Sequence, residues 1–172
     1  MPGTAENIET KRRELMKLVV IAASLLAAAS IAAIAAPGAP GHTHETFAAG
    51  EPGNPKRPFR VIQMTMKEED GKMLFVPDRV EVKKGEQIKF VLRNHGELKH
   101  EFMLATKAEN DKHAVLMQKY PDMEHDDPNG KSLETRKSGE LIWKFTKTGE
   151  FEFACLIPGH LESGMHGKVI VK

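Results

Sequence analysis

From Phe59 to Lys172 the chain is divided into short runs in which apolar and polar residues alternate, with glycines between the runs. A period of two sends successive side chains of an extended strand to opposite faces, so each run buries one face only by packing against other strands. "FRVIQMTM" (59–66) alternates in this way, and "KMLFVP" (72–77) follows the Asp70-Gly71 turn signal. "RVEVKKG" (79–85) places Val80 and Val82 opposite Arg79, Glu81 and Lys83, and "QIKFVLRN" (87–94) buries Ile88, Phe90 and Leu92. "KHEFMLA" (99–105), "ELIWKFT" (140–146), "EFEFAC" (150–155) and "KVIVK" (168–172) complete a set of eight, with Trp143 and Phe145 as core residues. Eight short alternating strands separated by Gly85, Gly96, Gly139, Gly149 and Gly167 predict an all-β antiparallel sandwich.

Residues 106–138 interrupt the pattern as a long connection. Ala114, Leu116 and Met117 fall near helical spacing in "KAENDKHAVLMQKY" (107–120), so a short helix is expected there, ended by Pro121. "PDMEHDDPNG" reads as a polar loop. Asp126-Asp127 and Glu68-Glu69-Asp70 read as solvated loop charges.

The first segment has a different character. Lys11, Arg12, Arg13 and Lys17 precede "LVVIAASLLAAASIAAIAA" (18–36), which has no charge, and Ala33-Ile34-Ala35 offers a small-x-small cleavage site. This is the anatomy of an export signal, and "KRRELMK" has the paired arginines of a twin-arginine type. Retention as a membrane anchor is the competing reading, since 19 uncharged residues just reach across a bilayer. The expected organisation is a signal peptide over residues 1–35, a Pro- and Gly-rich flexible linker over 36–58 and a folded domain over 59–172. A formal net charge of +1 gives no electrostatic support for nucleic-acid binding.

Cys155 is the one cysteine of a chain that carries an export signal. Oxidising compartments favour paired cysteines, and a single thiol cannot pair within its own chain. It is an inert buried thiol, an intermolecular bridge, a nucleophile or a metal ligand. Its neighbours favour the metal: in "CLIPGHLESGM", His160 follows Cys155 by five residues and Met165 follows His160 by five. Thiolate, imidazole and thioether together select copper, and a mononuclear blue-copper site takes two His and one Cys in a plane with a weak axial Met. Pro158-Gly159 and "LESG" turn the chain so that one loop supplies three donors. The second imidazole comes from another segment. His100, at the start of a strand, suits this role better than His95, which sits in the turn "RNHGE".

The order strand, Lys-Lys-Gly, strand, Asn-x-Gly-containing turn and His, followed much later by Cys-x4-His-x4-Met-x-Gly-x-Val-x-Val, resembles the cupredoxins, the small type 1 copper proteins, over about residues 60–172. The resemblance implies a Greek-key β-sandwich, with His100, Cys155 and His160 as equatorial ligands of one copper ion and Met165 as the axial one. "HTHETFAAGEPG", "MEHDDPN" and "GEFEFACLIPGH" are most similar to a periplasmic bacterial subgroup associated with copper tolerance. Multicopper oxidases and copper nitrite reductases carry a histidine directly beside the cysteine, whereas Ala154 and Leu156 stand there in this chain. The resemblance thus implies no enzyme activity and no small-molecule substrate. It implies a monomeric periplasmic one-electron carrier with a redox partner protein, or a copper-handling protein that sequesters copper or passes it to an acceptor. The remaining soft donors, His42 with His44, or Met117, Met123 and His125, are candidates for further copper, against the alternative of solvated histidines and gap-filling methionines.

Overall fold

The computed structural model describes residues 47–121 and 127–172. The expected signal peptide, the linker up to residue 46, His42, His44, Met123 and His125 lie outside the described residues. Among the described residues no helix is long and apolar enough to cross a membrane.

The described residues form ten strands and one helix. In chain order they are β1 (Glu51–Pro52), β2 (Arg60–Glu69), β3 (Lys72–Val76), β4 (Arg79–Val82), β5 (Gln87–Asn94), β6 (His100–Ala105), α1 (Lys107–Lys119), β7 (Gly130–Leu133), β8 (Ser138–Lys144), β9 (Gly149–Ala154) and β10 (His166–Val171). One sheet has the order β1-β8-β5-β2-β3 and the other β4-β10-β9-β6-β7. All eight expected strands are present. The expectation of a purely antiparallel sandwich is corrected at two places: β2 runs parallel to β5, and β4 parallel to β10. Period-two alternation reports which face a residue takes and is blind to the direction of the neighbouring strand.

Alternation fills the space between the sheets. Met64 and Met66 of β2, Phe75 of β3, Ile88, Phe90 and Leu92 of β5, and Trp143 of β8 come from one side. Phe102 and Leu104 of β6, Phe151 and Phe153 of β9, and Val169 of β10 come from the other. Phe102 lies at the centre. It stacks on Phe153 with centroids 5.3 Å apart and meets Phe90 at 5.1 Å and Phe75 at 5.9 Å.

Three features go beyond the sequence reading. Residues 47–58, assigned to the linker, belong to the sandwich: Phe47 packs edge-on against Trp143 at 5.2 Å, Ala49 is buried, and β1 pairs with β8. This segment lacks alternation, and its anchors are contacts with residues distant in sequence, such as the Asn54 N–H donating to Gln87 Oε1 at 2.7 Å. β7 arises within the polar connection, because β6 offers it a free edge and only Leu133 of the strand is buried. α1 is present where a short helix is expected; a capping box between Thr106 and Glu109, not read from the sequence, starts it, and it covers the outer face of β6 and β9. That cover is why all six residues of β6 are buried. Met117 packs there with Met103, Ala154 and Leu156, as a gap-filling methionine would.

Candidate metal centre

Each donor is placed by the end of a strand. His100 is the first residue of β6 and shares the inward face with Phe102 and Leu104. Cys155 follows the last residue of β9, also inward. The chain then leaves the sheet and returns as β10, and the Cys155 N–H donates to the Met165 carbonyl at 3.0 Å, closing the loop at its neck. Inside the loop the Met165 N–H donates to the His160 carbonyl, and the His160 N–H to the Ile157 carbonyl, both at 3.0 Å. Gly159 supplies the left-handed residue after Pro158, with φ +87°, a value that L side chains adopt with strain.

The result is a tight group of donors. Nδ1 of His100 lies 3.3 Å from Nδ1 of His160, which lies 3.3 Å from Sγ of Cys155. All three donor atoms fall within 4.8 Å of one another, and all three residues are buried. Metal–imidazole and metal–thiolate bonds of about 2.0–2.3 Å, splayed at trigonal angles, separate their donors by roughly 3.5–3.8 Å. The spacing therefore fits one metal ion in the plane of three donors. Met165 is fully buried in the same core cluster as Cys155. His95, the competing histidine, is exposed, and among the described residues no other His/Cys/Asp/Glu cluster of metal-binding spacing occurs.

Burial sets the protonation of the group. It holds both imidazoles below their usual pKa, against the pull of Glu68 on His100 and reinforced at His160 by its neighbour His100. Neutral imidazoles are what a metal needs. Burial pushes the Cys155 thiol up to about 12, although the Glu101 and Ile157 N–H groups favour the thiolate. The Glu101 N–H donates to Sγ at 3.3 Å.

Two acidic residues beside the cluster carry no signal of this role in their local sequence composition. Glu68, assigned to solvated loop charge, lies on β2, which continues to Glu69. The alternation Ile62-Met64-Met66-Glu68 carries it inward, and its Oε1 accepts from His100 Nε2 at 2.8 Å. The signal was present in the sequence as an unbroken inward period. Glu101 faces the opposite side of β6, where burial raises its carboxyl pKa to about 7 against the Leu156 N–H, which favours the anion. Its Oε2 has no hydrogen-bond partner.

Glu101 predicts an unusual pH profile. The unfolded carboxyl ionises near 4.5 and the folded one near 7, so folding takes up a proton between these values. Stability from this residue is complete below about 4.5 and is lost as pH rises through 7, by about 3 kcal/mol. Urea denaturation of the metal-free protein at pH 5 and pH 8 should show this loss in the wild type relative to Glu101→Gln. Parallel profiles for the two proteins would refute it.

The family model described as copper binding proteins, plastocyanin/azurin family, matches residues 62–172. The copper-resistant cuproprotein CopI of Rubrivivax gelatinosus is 46% identical over 113 residues, covering 66% of this chain and 67% of that protein. CopI of Pseudomonas aeruginosa is 40% identical over 131 residues, covering 59% of this chain and 72% of that protein. Among solved structures, auracyanin B superposes with a TM-score of 0.57 at 17% identity, covering 72% of this chain and 96% of that one. Auracyanin A, a "blue" copper protein of Chloroflexus aurantiacus, gives 0.53 at 16% identity, covering 65% and 99%. The structural likenesses speak to the fold, and the family match runs from within β2 through the buried donors to residue 172. With the family model matched over residues 62–172, a span that contains the buried cluster of two imidazoles and one thiol, the chain belongs to the plastocyanin/azurin family of copper-binding proteins, the cupredoxins.

Proposed function

We propose that this protein is a periplasmic one-electron carrier with a single mononuclear type 1 copper site. His100, Cys155 and His160 would hold the ion through two imidazole nitrogens and one sulfur, and Met165, buried in the same core cluster as Cys155, would add a weak thioether donor. The observation that carries this reading is the buried convergence of two imidazole nitrogens and one sulfur within 4.8 Å. Copper supplies the reversible Cu(I)/Cu(II) couple. The chain supplies a nearly fixed frame: His100 and Cys155 sit on strand ends, and the backbone bonds of the 155–165 loop hold His160 and Met165. A fixed frame keeps reorganisation small when the charge changes. Cys155 gives up its proton on metal binding, as a coordinating thiol does.

His160 is 7% exposed against 0% for His100, so its ring is the nearer exit to solvent. Half-buried Ile157 and Leu161 and exposed Pro158 surround it, a rim suited to a redox partner protein. Ala154 and Leu156 beside Cys155 leave no imidazole for a connected second copper, which supports a carrier rather than an enzyme. The basic run and uncharged segment before residue 37 support export. A monomer suffices for this role.

Copper handling is the second reading, and the two relatives named copper-resistant cuproproteins favour it. Titration with copper separates the readings. A carrier takes up one copper per chain, turns intensely coloured as Cu(II), and gives the small copper hyperfine splitting of a thiolate site in EPR. A handling protein binds further Cu(I), and its loss sensitises cells to copper. A colourless one-to-one complex would overturn the type 1 site itself.

A further inference from the structure

Glu68 makes more contacts around the candidate centre than a surface charge requires. Its Oε1 accepts from His100 Nε2 at 2.8 Å and from the Leu98 N–H at 3.2 Å, and its Oε2 accepts from the Glu97 N–H at 2.9 Å. One side chain thus grips both the loop that delivers His100 and the ring of His100. Room for it depends on Gly96, where an added Cβ would stand 2.5 Å from both carboxylate oxygens. Asn94 reinforces the same turn: its Oδ1 accepts from the Gly96 N–H at 2.9 Å, and its Nδ2 donates to the Leu98 carbonyl at 2.7 Å.

The chemistry of the contact is specific. A carboxylate offers only acceptors, so His100 must carry its proton on Nε2. Its Nδ1 is then left with a lone pair, and this is the atom 3.3 Å from His160 Nδ1. A carboxylate behind a ligating imidazole also makes that imidazole a stronger donor.

We propose that Glu68 is the positioning residue of the copper centre. It fixes the His100 tautomer and ring before metal arrives, and its negative charge favours Cu(II) over Cu(I). This rests on the reading of His100 as a ligand and extends it to the group behind that ligand. Gly96 belongs to the same device, because only a residue without a side chain leaves space for the carboxylate.

The test has one arm without metal and one with it. In the metal-free wild type, 15N NMR should show His100 protonated on Nε2 and bare on Nδ1. In Glu68→Ala this single tautomer should give way to a mixture, and Cu(II) affinity should fall by about 10–100-fold. Glu68→Gln keeps one acceptor and loses the charge. It should retain the wild-type tautomer yet shift the couple about tenfold toward Cu(I), a rise of 59 mV by the one-electron conversion. Gly96→Ala should reproduce the alanine phenotype with Glu68 intact. A residue that merely clamps the loop would lower the melting temperature and leave the His100 nitrogen shifts and the potential at wild-type values, and that result overturns the proposal. If Glu68→Ala does not fold, the glutamine variant decides through its potential alone. A wild type that binds no copper would sink the ligand reading while leaving the tautomer measurement standing, so the two failures are distinguishable.

Discussion

Cys155→Ser should abolish the visible absorption of the copper-loaded protein and weaken Cu(I) binding by at least ~100-fold, more than the loss of a supporting contact costs. The thiol has no substitute nearby, being the single cysteine of the chain. A serine hydroxyl is a hard donor that ionises far less readily than a thiol. The fold should survive, since the change is nearly isosteric and the Glu101 N–H keeps an acceptor where Sγ now receives it at 3.3 Å. The loss therefore has to be read beside an unchanged circular dichroism spectrum. A serine variant that stayed coloured would show that the sulfur is not bound to copper and would return Cys155 to the role of a packed side chain.

Phe102→Ala should have the largest effect on stability, about 3–5 kcal/mol. The ring is fully buried and lies between Phe153, Phe90 and Phe75, so its removal leaves a cavity lined by rings anchored on three other strands. For a domain of this size the melting temperature should fall by roughly 10–20 °C. The effect should reach the metal centre, because Phe102 is two residues from His100 on the same face of β6. Val115→Ala is the matching control: Val115 is 65% exposed on α1, and its truncation should cost under about 0.5 kcal/mol. A loss below about 1 kcal/mol for Phe102→Ala in chemical denaturation would mean that the two sheets are not joined through this aromatic group.

Much of this architecture can be read from short-range patterns. The strand runs announce themselves because alternation is a local property, and each half-buried strand must satisfy it whatever its neighbours are. The helix is legible for a similar reason, from the near-helical spacing of Ala114, Leu116 and Met117 and the stop at Pro121. The loop from Cys155 to Met165 is legible because three soft donors at equal spacing have little other reason to occur together. The choice of His100 over His95 follows from position: one begins a buried strand and the other lies in an exposed turn.

Other features depend on partners distant in sequence. β7 pairs because β6 presents an edge, and Leu133 lies opposite His100 only through that register. β1 and Phe47 are held by β8 and Trp143, about ninety residues away. The parallel pairs β2–β5 and β4–β10 reflect how the chain crosses between edges, which alternation does not encode. Glu68 is the case with most consequence. Its inward direction was implicit in β2, but its meaning arises only where β2 passes the start of β6, thirty-two residues later.

The sequence by itself thus determined a β-sandwich and the kinds of donor available to a metal, since facing and ligand chemistry are properties of single residues and their near neighbours. Tertiary structure decided which carboxylate stands behind the His100 imidazole and which turn leaves room for it. Those are matters of distance between remote segments, set by strand pairing and core packing to within an ångström.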